Sequence, residues 1–120
     1  MNERAQIGAE GERLAAEWLR EHGFRILHTN WRRGRYELDI VAAREGTVHF
    51  VEVKCRKGEG LTTPEEAITR AKFAALSKAA QAYIALYGVG GEVQFDLVAV
   101  EHDGGRWTVR YVPNAMYSSW

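Results

Sequence analysis

The chain holds a single cysteine, Cys55, in 120 residues. No internal disulfide can form, and a lone thiol favours a reducing compartment. Only two prolines occur, Pro64 and Pro113. No apolar run approaches the roughly 18 residues a membrane helix requires, so no membrane partner is expected. The opening stretch, MNERAQIGAEGER, is polar from the start and is not expected to be a secretory signal. Together these absences read as cytoplasmic. There is no excess of charge of either sign, with 16 basic and 16 acidic residues. That argues against a protein that coats nucleic acid by bulk charge. The four histidines, His22, His28, His49 and His102, show no metal-ligand spacing and read as structural. No internal repeat, low-complexity segment or linker is visible. The length suits one domain over 1–120, with 113–120 as a C-terminal tail.

What is present is a regular alternation of helix and strand signals. Ile7, Leu14, Ala15, Trp18 and Leu19 recur at helical spacing within 3–22, and Gly23 follows where a left-handed cap is favoured. Strands are expected over 24–31, 36–43 and 47–55, with Arg32-Arg33-Gly34-Arg35 as a turn and a tight turn at Glu45-Gly46. Residues 56–63 form a glycine-containing loop. Thr63-Pro64-Glu65-Glu66 combines an N-cap, a first-turn proline and a capping-box glutamate. The helix that follows carries Ile68, Ala71, Ala75, Leu76, Ala79, Tyr83 and Leu86 and stops at Gly88. Strands over 92–101 and 106–112 complete the order α-β-β-β-α-β-β, a mixed sheet flanked by helices in the α/β class.

Charge is unevenly placed on this frame. Between Arg25 and Lys57 stand eight basic residues and four acidic ones. Four charges, Glu37, Asp39, Glu52 and Lys54, interrupt the most strand-like part of the chain. Charges are rarely buried on central strands unless they are paired or bind a metal. If the hairpin turns symmetrically at Glu45-Gly46, opposed residues have numbers summing to 91. Asp39 then faces Glu52 and Glu37 faces Lys54, on one sheet face, with Cβ atoms about 5 Å apart. A one-residue slip would scatter them. Adjacent carboxylates repel unless a proton, a cation or an ammonium intervenes. Carboxylate oxygens with open water positions suit Mg²⁺, which can activate water and stabilise a phosphoryl transition state. The plainer reading is a Glu37–Lys54 cross-strand ion pair, with Asp39 capping a bulge. Spacing alone leaves both open.

Asp39, twelve intervening residues and then Glu52-Val53-Lys54 resembles the PD-(D/E)xK nuclease signature. The wider pattern is more specific. Gly8, Gly11-Glu12, Ala15, Asn30-Trp31-Arg32, Glu37-Leu38-Asp39, Phe50-Val51-Glu52-Val53-Lys54, Ala67, Lys72 and Phe95-Asp96 resemble the YraN-like family of uncharacterised bacterial proteins. The likeness runs from about residue 5 to 101. It departs from the family pattern at Tyr36, where a glycine usually precedes the glutamate. The resemblance implies a restriction-endonuclease-like core, related by fold to archaeal Holliday-junction resolvases. It implies Asp39 and Glu52 as ligands of Mg²⁺ or Mn²⁺ and Lys54 as the catalytic lysine. It also draws in Glu12, either as a further metal ligand or as a solvent-facing helix charge, with Gly8 and Gly11 allowing close backbone approach. Glu37 is then an outer partner of the site, an alternative ligand or a plain partner of Lys54.

The remaining expectations concern the surroundings. Arg32, Arg33 and Arg35, beside Trp31 and Tyr36, combine cations with aromatics that suit phosphates and unpaired bases; Trp31 is expected in the core. Arg56 and Lys57 open the loop that would follow the nucleic-acid backbone. Lys72 interrupts the apolar stripe of its helix. Either it points to the active face, or its stem packs while its ammonium reaches water. Cys55 should face away from Glu52 and Lys54 as an inert thiol. Asp96 interrupts a central strand, to satisfy a backbone group or hold a basic residue. The tail, Ala115 to Trp120, is expected to cover the core edge or dock on a second subunit as a homodimer. Taken together, the reading is a metal-dependent endonuclease acting on DNA, branched or otherwise structured. The alternatives are a non-catalytic nucleic-acid-binding module and a protein-interaction domain on the same fold.

Overall fold

The structure, a computed structural model, describes residues 3–57 and 70–115. The element order is α1 (Glu3–Glu21), β1 (Arg25–Arg33), β2 (Tyr36–Arg44), β3 (Thr47–Lys57), α2 (Arg70–Tyr87), β4 (Glu92–Asp103) and β5 (Arg106–Val112). The expected helix start at Thr63-Pro64, the contacts of loop 58–63 and the tail beyond Ala115 lie outside the described residues.

The five strands form one sheet in the order β1-β2-β3-β4-β5. Only β3 and β4 run parallel, because the crossover containing α2 joins them; the other neighbours are antiparallel. Each helix covers one face. On the α1 side, Ala15, Leu19, Phe24, Ile40, Val51, Val98 and Val100 are packed together. On the α2 side the cluster holds Trp31, Leu38, Val41, Phe50, Leu76, Ala79, Tyr83 and Leu97. A sheet covered on both faces explains why β3 and β4 read as nearly continuous apolar runs. Among the described residues, no helix is long and apolar enough to cross a membrane.

Local chemistry sets the element ends. Gly23 adopts φ 88°, the Phe24 N–H reaches the Leu19 carbonyl at 3.0 Å, and the Gly23 N–H reaches the Arg20 carbonyl at 3.2 Å. This left-handed cap turns Phe24 into the core and starts β1. Glu45 and Gly46, with φ 50° and 81°, make the two-residue turn between β2 and β3. One expectation is corrected: Arg32 and Arg33 belong to β1, and the turn is only Gly34-Arg35, because the β1–β2 ladder continues to Arg33↔Tyr36.

Between β4 and β3 lies a buried polar knot. Asp96 is fully buried. Its carboxylate accepts from the Asn114 N–H at 3.0 Å, the Gln94 amide at 2.8 Å and the Tyr111 hydroxyl at 2.7 Å, and it lies 2.6 Å from His49 Nδ1. Asp96 thus satisfies a backbone group, as one reading expected, while serving side chains from three strands. Burial, followed by the bond to Asp96, raises the Tyr111 hydroxyl well above its usual pKa.

Candidate functional site

The β2–β3 ladder has the register expected from the turn, from Arg44↔Thr47 to Ile40↔Val51. It then stops. Instead of a backbone partner, the Val53 N–H finds Asp39 Oδ2 at 2.9 Å. Alternation along β2 breaks at the same residue. Leu38 and Val41 both join the α2-side core, whereas Ile40 joins the α1-side core. Strict alternation would have put Leu38 with Ile40. On β1, the pairs Thr29↔Ile40 and Trp31↔Leu38 flank Asn30, which adopts φ 50°. Asparagine tolerates that left-handed conformation better than most residues. The kink and the parting strands place the Asp39 carboxylate in the fork between β2 and β3, not on one face.

The fork explains what Asp39 meets. From the α2 side comes Glu52, only 6% exposed, with its carboxyl within hydrogen-bonding reach of Asp39. Lys72 Nζ, from α2, lies 3.1 Å from Glu52 Oε1. From the α1 side comes Glu12, which accepts a hydrogen bond from the Asn30 side chain and feels the charges of Asp39 and Arg32. A cavity of about 320 Å³ on this side is lined by Glu12, Arg13, Arg20, Asn30 and Asp39.

The electrostatics follow from this crowding. Burial, then the negative charge of Asp39, push the Glu52 carboxyl up to about 7; Lys72 opposes them and does not win. Glu12 is raised for the same two reasons in the same order, offset by Asn30 and Arg32. Glu12 is therefore part of the acidic cluster and not a detached helix charge. The Cys55 thiol is pushed up to about 11, first by burial and then by Glu12 and Asp39, with Lys54 opposing. It packs among the α1-side apolar residues, away from Glu52, as expected of an inert thiol. Gly11 makes that packing possible: a Cβ there would sit 2.2 Å from Cys55 Sγ. Gly8 plays no such part. A Cβ at Gly8 would meet nothing within 4 Å, although the Gly8 carbonyl faces the thiol at 3.9 Å.

The single patch of three carboxylates and one lysine is corrected. Glu37 is not opposite Lys54, because the ladder ends before either is reached. Glu37 pairs with Arg32 across β1–β2, 3.9 Å from its guanidinium, with both side chains more than half exposed. Lys54, half-buried, stands two residues beyond Glu52 on β3. Arg35 and Lys72 line a groove of about 540 Å³ with Tyr36, Glu37, Leu76 and Lys78. Lys72 thus lies on the sheet face that carries Glu52, and Lys78 is a groove cation that helix periodicity alone does not distinguish from a surface charge. Arg33 is exposed beside the turn, and Arg56 and Lys57 belong to the end of β3, not to the loop expected over 56–63, because the parallel ladder with β4 continues to Lys57↔His102. Trp31 is buried and donates from Nε1 to the Tyr87 hydroxyl at 3.2 Å. Asn30 joins the site through Glu12 and through its own kink, and no motif points to that role. The sequence marks Asn30 in two ways, as an asparagine inside an otherwise strand-like run and as part of the Asn30-Trp31-Arg32 pattern, and neither assigns it that role.

The residues fit a divalent ion of a particular kind. Among the described residues, no three Asp, Glu, His or Cys side chains converge closely enough to cage a metal by themselves. Asp39 and Glu52 nevertheless supply adjacent carboxyl oxygens. Mg²⁺ is commonly held by one or two carboxylates, with water completing the shell.

Comparison with known proteins gives the same frame. The chain superimposes on the Archaeoglobus fulgidus protein Hjc, a Holliday junction resolvase, with a TM-score of 0.52 and 19% sequence identity, over 92% of this chain and 79% of that one. The fold is therefore restriction-endonuclease-like α/β. A UPF0102 protein of Bacteroides thetaiotaomicron is 39% identical over 117 residues, covering 98% of this chain and 97% of that one. A UPF0102 protein of Nitratidesulfovibrio vulgaris is 40% identical over 113 residues, covering 93% and 84%. The model of the family described as "Uncharacterised protein family UPF0102" matches residues 11–100, and this chain belongs to that family.

Proposed function

We propose that this protein is a divalent-metal-dependent DNA endonuclease that hydrolyses phosphodiester bonds in branched or otherwise structured DNA. The observation that carries the proposal is the meeting of Asp39 and Glu52 in the β2–β3 fork, with Lys54 two residues further along β3. Two carboxyl groups crowded where water is scarce favour a bound cation. The likeness of the fold to a Holliday junction resolvase supports the same chemistry.

In this reading Asp39 and Glu52 hold Mg²⁺ or Mn²⁺, with Glu12 adding negative charge from the α1 side. The ion supplies Lewis-acid stabilisation of the phosphoryl group and a more acidic bound water. The Val53 N–H fixes the Asp39 carboxylate in the fork. Lys54 orients the attacking water and offsets charge developing on the phosphate. Arg33 and Arg35 at the β1–β2 turn, Lys72 in the groove, and Arg56 and Lys57 at the end of β3 contact the nucleic-acid backbone. Arg32 joins them, held in part by Glu37. A homodimer would match the two-fold symmetry of a junction. Work inside the cytoplasm completes the proposal.

One observation favours a second reading, a nucleic-acid-binding module that does not cut. Lys72 already places a positive charge against Glu52. The test is cleavage of a DNA panel comprising single strands, duplexes, flaps and four-way junctions, with Mg²⁺ or Mn²⁺. Cutting by the wild type that is lost in both Asp39→Ala and Lys54→Ala is the expected result. No cutting, or cutting unchanged in both variants, overturns the active-site assignment. DNA binding that survives Asp39→Ala without metal would then establish the second reading.

A further inference from the structure

The ion pair between Lys72 and Glu52 has a role that ordinary salt-bridge reasoning does not supply. A surface pair would contribute little. This one joins a glutamate side chain that is 6% exposed to a lysine side chain that is 41% exposed. Glu52 sits against Asp39, with Glu12 on the other side of the fork. A buried carboxylate beside another needs a compensating cation. Lys72 Nζ, 3.1 Å from Glu52 Oε1, supplies it.

The same lysine lines the groove that holds Arg35, Tyr36, Glu37 and Lys78. Its charge therefore stands at the boundary between the buried carboxylates and the open groove. A lysine head on a flexible four-carbon stem can change partners by rotating its side chain, with no movement of the helix.

We propose that Lys72 is a tethered cation that neutralises Glu52 in the metal-free protein and gives it up when a divalent ion binds. The inference rests on the metal-dependent reading above. Lys72 and the ion compete for one carboxylate, because two cations cannot both approach it closely without repulsion. Metal binding and release of Lys72 are then coupled, and the coupling is reciprocal. The released ammonium joins Arg35 and Lys78 in the groove, where the proposed DNA backbone would lie. Lys72 is a positioning residue: it ties readiness of the groove to occupation of the carboxylates.

The test is Mn²⁺ titration of the full chain by calorimetry, without DNA, for the wild type, Lys72→Met, Lys72→Gln, Lys72→Arg and Glu52→Gln. Circular dichroism checks that each is folded. Lys72→Met and Lys72→Gln should bind Mn²⁺ at least fivefold more tightly than the wild type. Lys72→Arg, which keeps the competing charge, should stay near it, and Glu52→Gln should lose binding. Mn²⁺ binding that appears only when Lys72 is neutralised would also support the exchange. Wild-type binding that is equalled or weakened in both neutral variants overturns the exchange and leaves the metal site standing. No Mn²⁺ binding by the wild type or by either neutral variant overturns the metal reading, and the exchange with it.

Discussion

Glu52 should make the protein less stable as pH rises through neutrality, and Glu52→Gln should abolish that dependence. The carboxyl is pushed up from 4.5 to about 7, first by burial and then by Asp39. A folded chain that holds a proton the unfolded chain has released is stabilised at low pH. This contribution is complete below the unfolded value and is lost as pH rises through about 7. At 1.36 kcal/mol per unit, the shift corresponds to roughly 3 kcal/mol as an upper figure. The expected change is about 1–3 kcal/mol. The assay is urea denaturation of wild type and Glu52→Gln from pH 4.5 to 8.5 in metal-free buffer, followed by tryptophan fluorescence. Contributions from the rest of the molecule are common to both chains and largely cancel in the difference. The wild type should lose stability relative to Glu52→Gln across the window, most steeply between pH 5 and 7. A flat difference, or one that grows in favour of the wild type, would refute the crowding of the two carboxyl groups.

Two further predictions concern packing. Gly11→Ala should lower stability by about 1–3 kcal/mol, since helix propensity favours alanine but overpacking outweighs it. Cys55→Ala removes the sulfur that a Cβ at Gly11 would strike at 2.2 Å, so the double variant should recover most of the loss in thermal denaturation. Independent, additive losses would contradict that contact. Asp96→Ala should cost on the order of 3–5 kcal/mol, because it leaves His49, Tyr111, Gln94 and the Asn114 N–H without their buried acceptor. A urea midpoint close to that of the wild type would remove the knot from the account of stability.

Much of the frame is legible in local chemistry. Gly23 announces the cap of α1, and Glu45-Gly46 sets the β2–β3 register, because two-residue turns admit few geometries. The bounds of β5 follow from the turn at Gly104-Gly105 and from Pro113. The spacing of Asp39, Glu52 and Lys54 marks the right region. It misplaces Glu37, since a register read from a turn assumes that the ladder continues, and this one ends where the Asp39 side chain takes the place of the backbone.

The sequence by itself determined the elements, their order and the acids that interrupt them, because these depend on neighbours along the chain. Only the tertiary structure decided that Asp39 stands in a fork, that Glu12 and Glu52 approach it from opposite sides, and that Lys72 meets Glu52. It also decided that Asp96 gathers partners from three strands. Those facts depend on which helix covers which face and where two strands part. The separations are fixed by packing between residues distant in sequence, which no local propensity encodes.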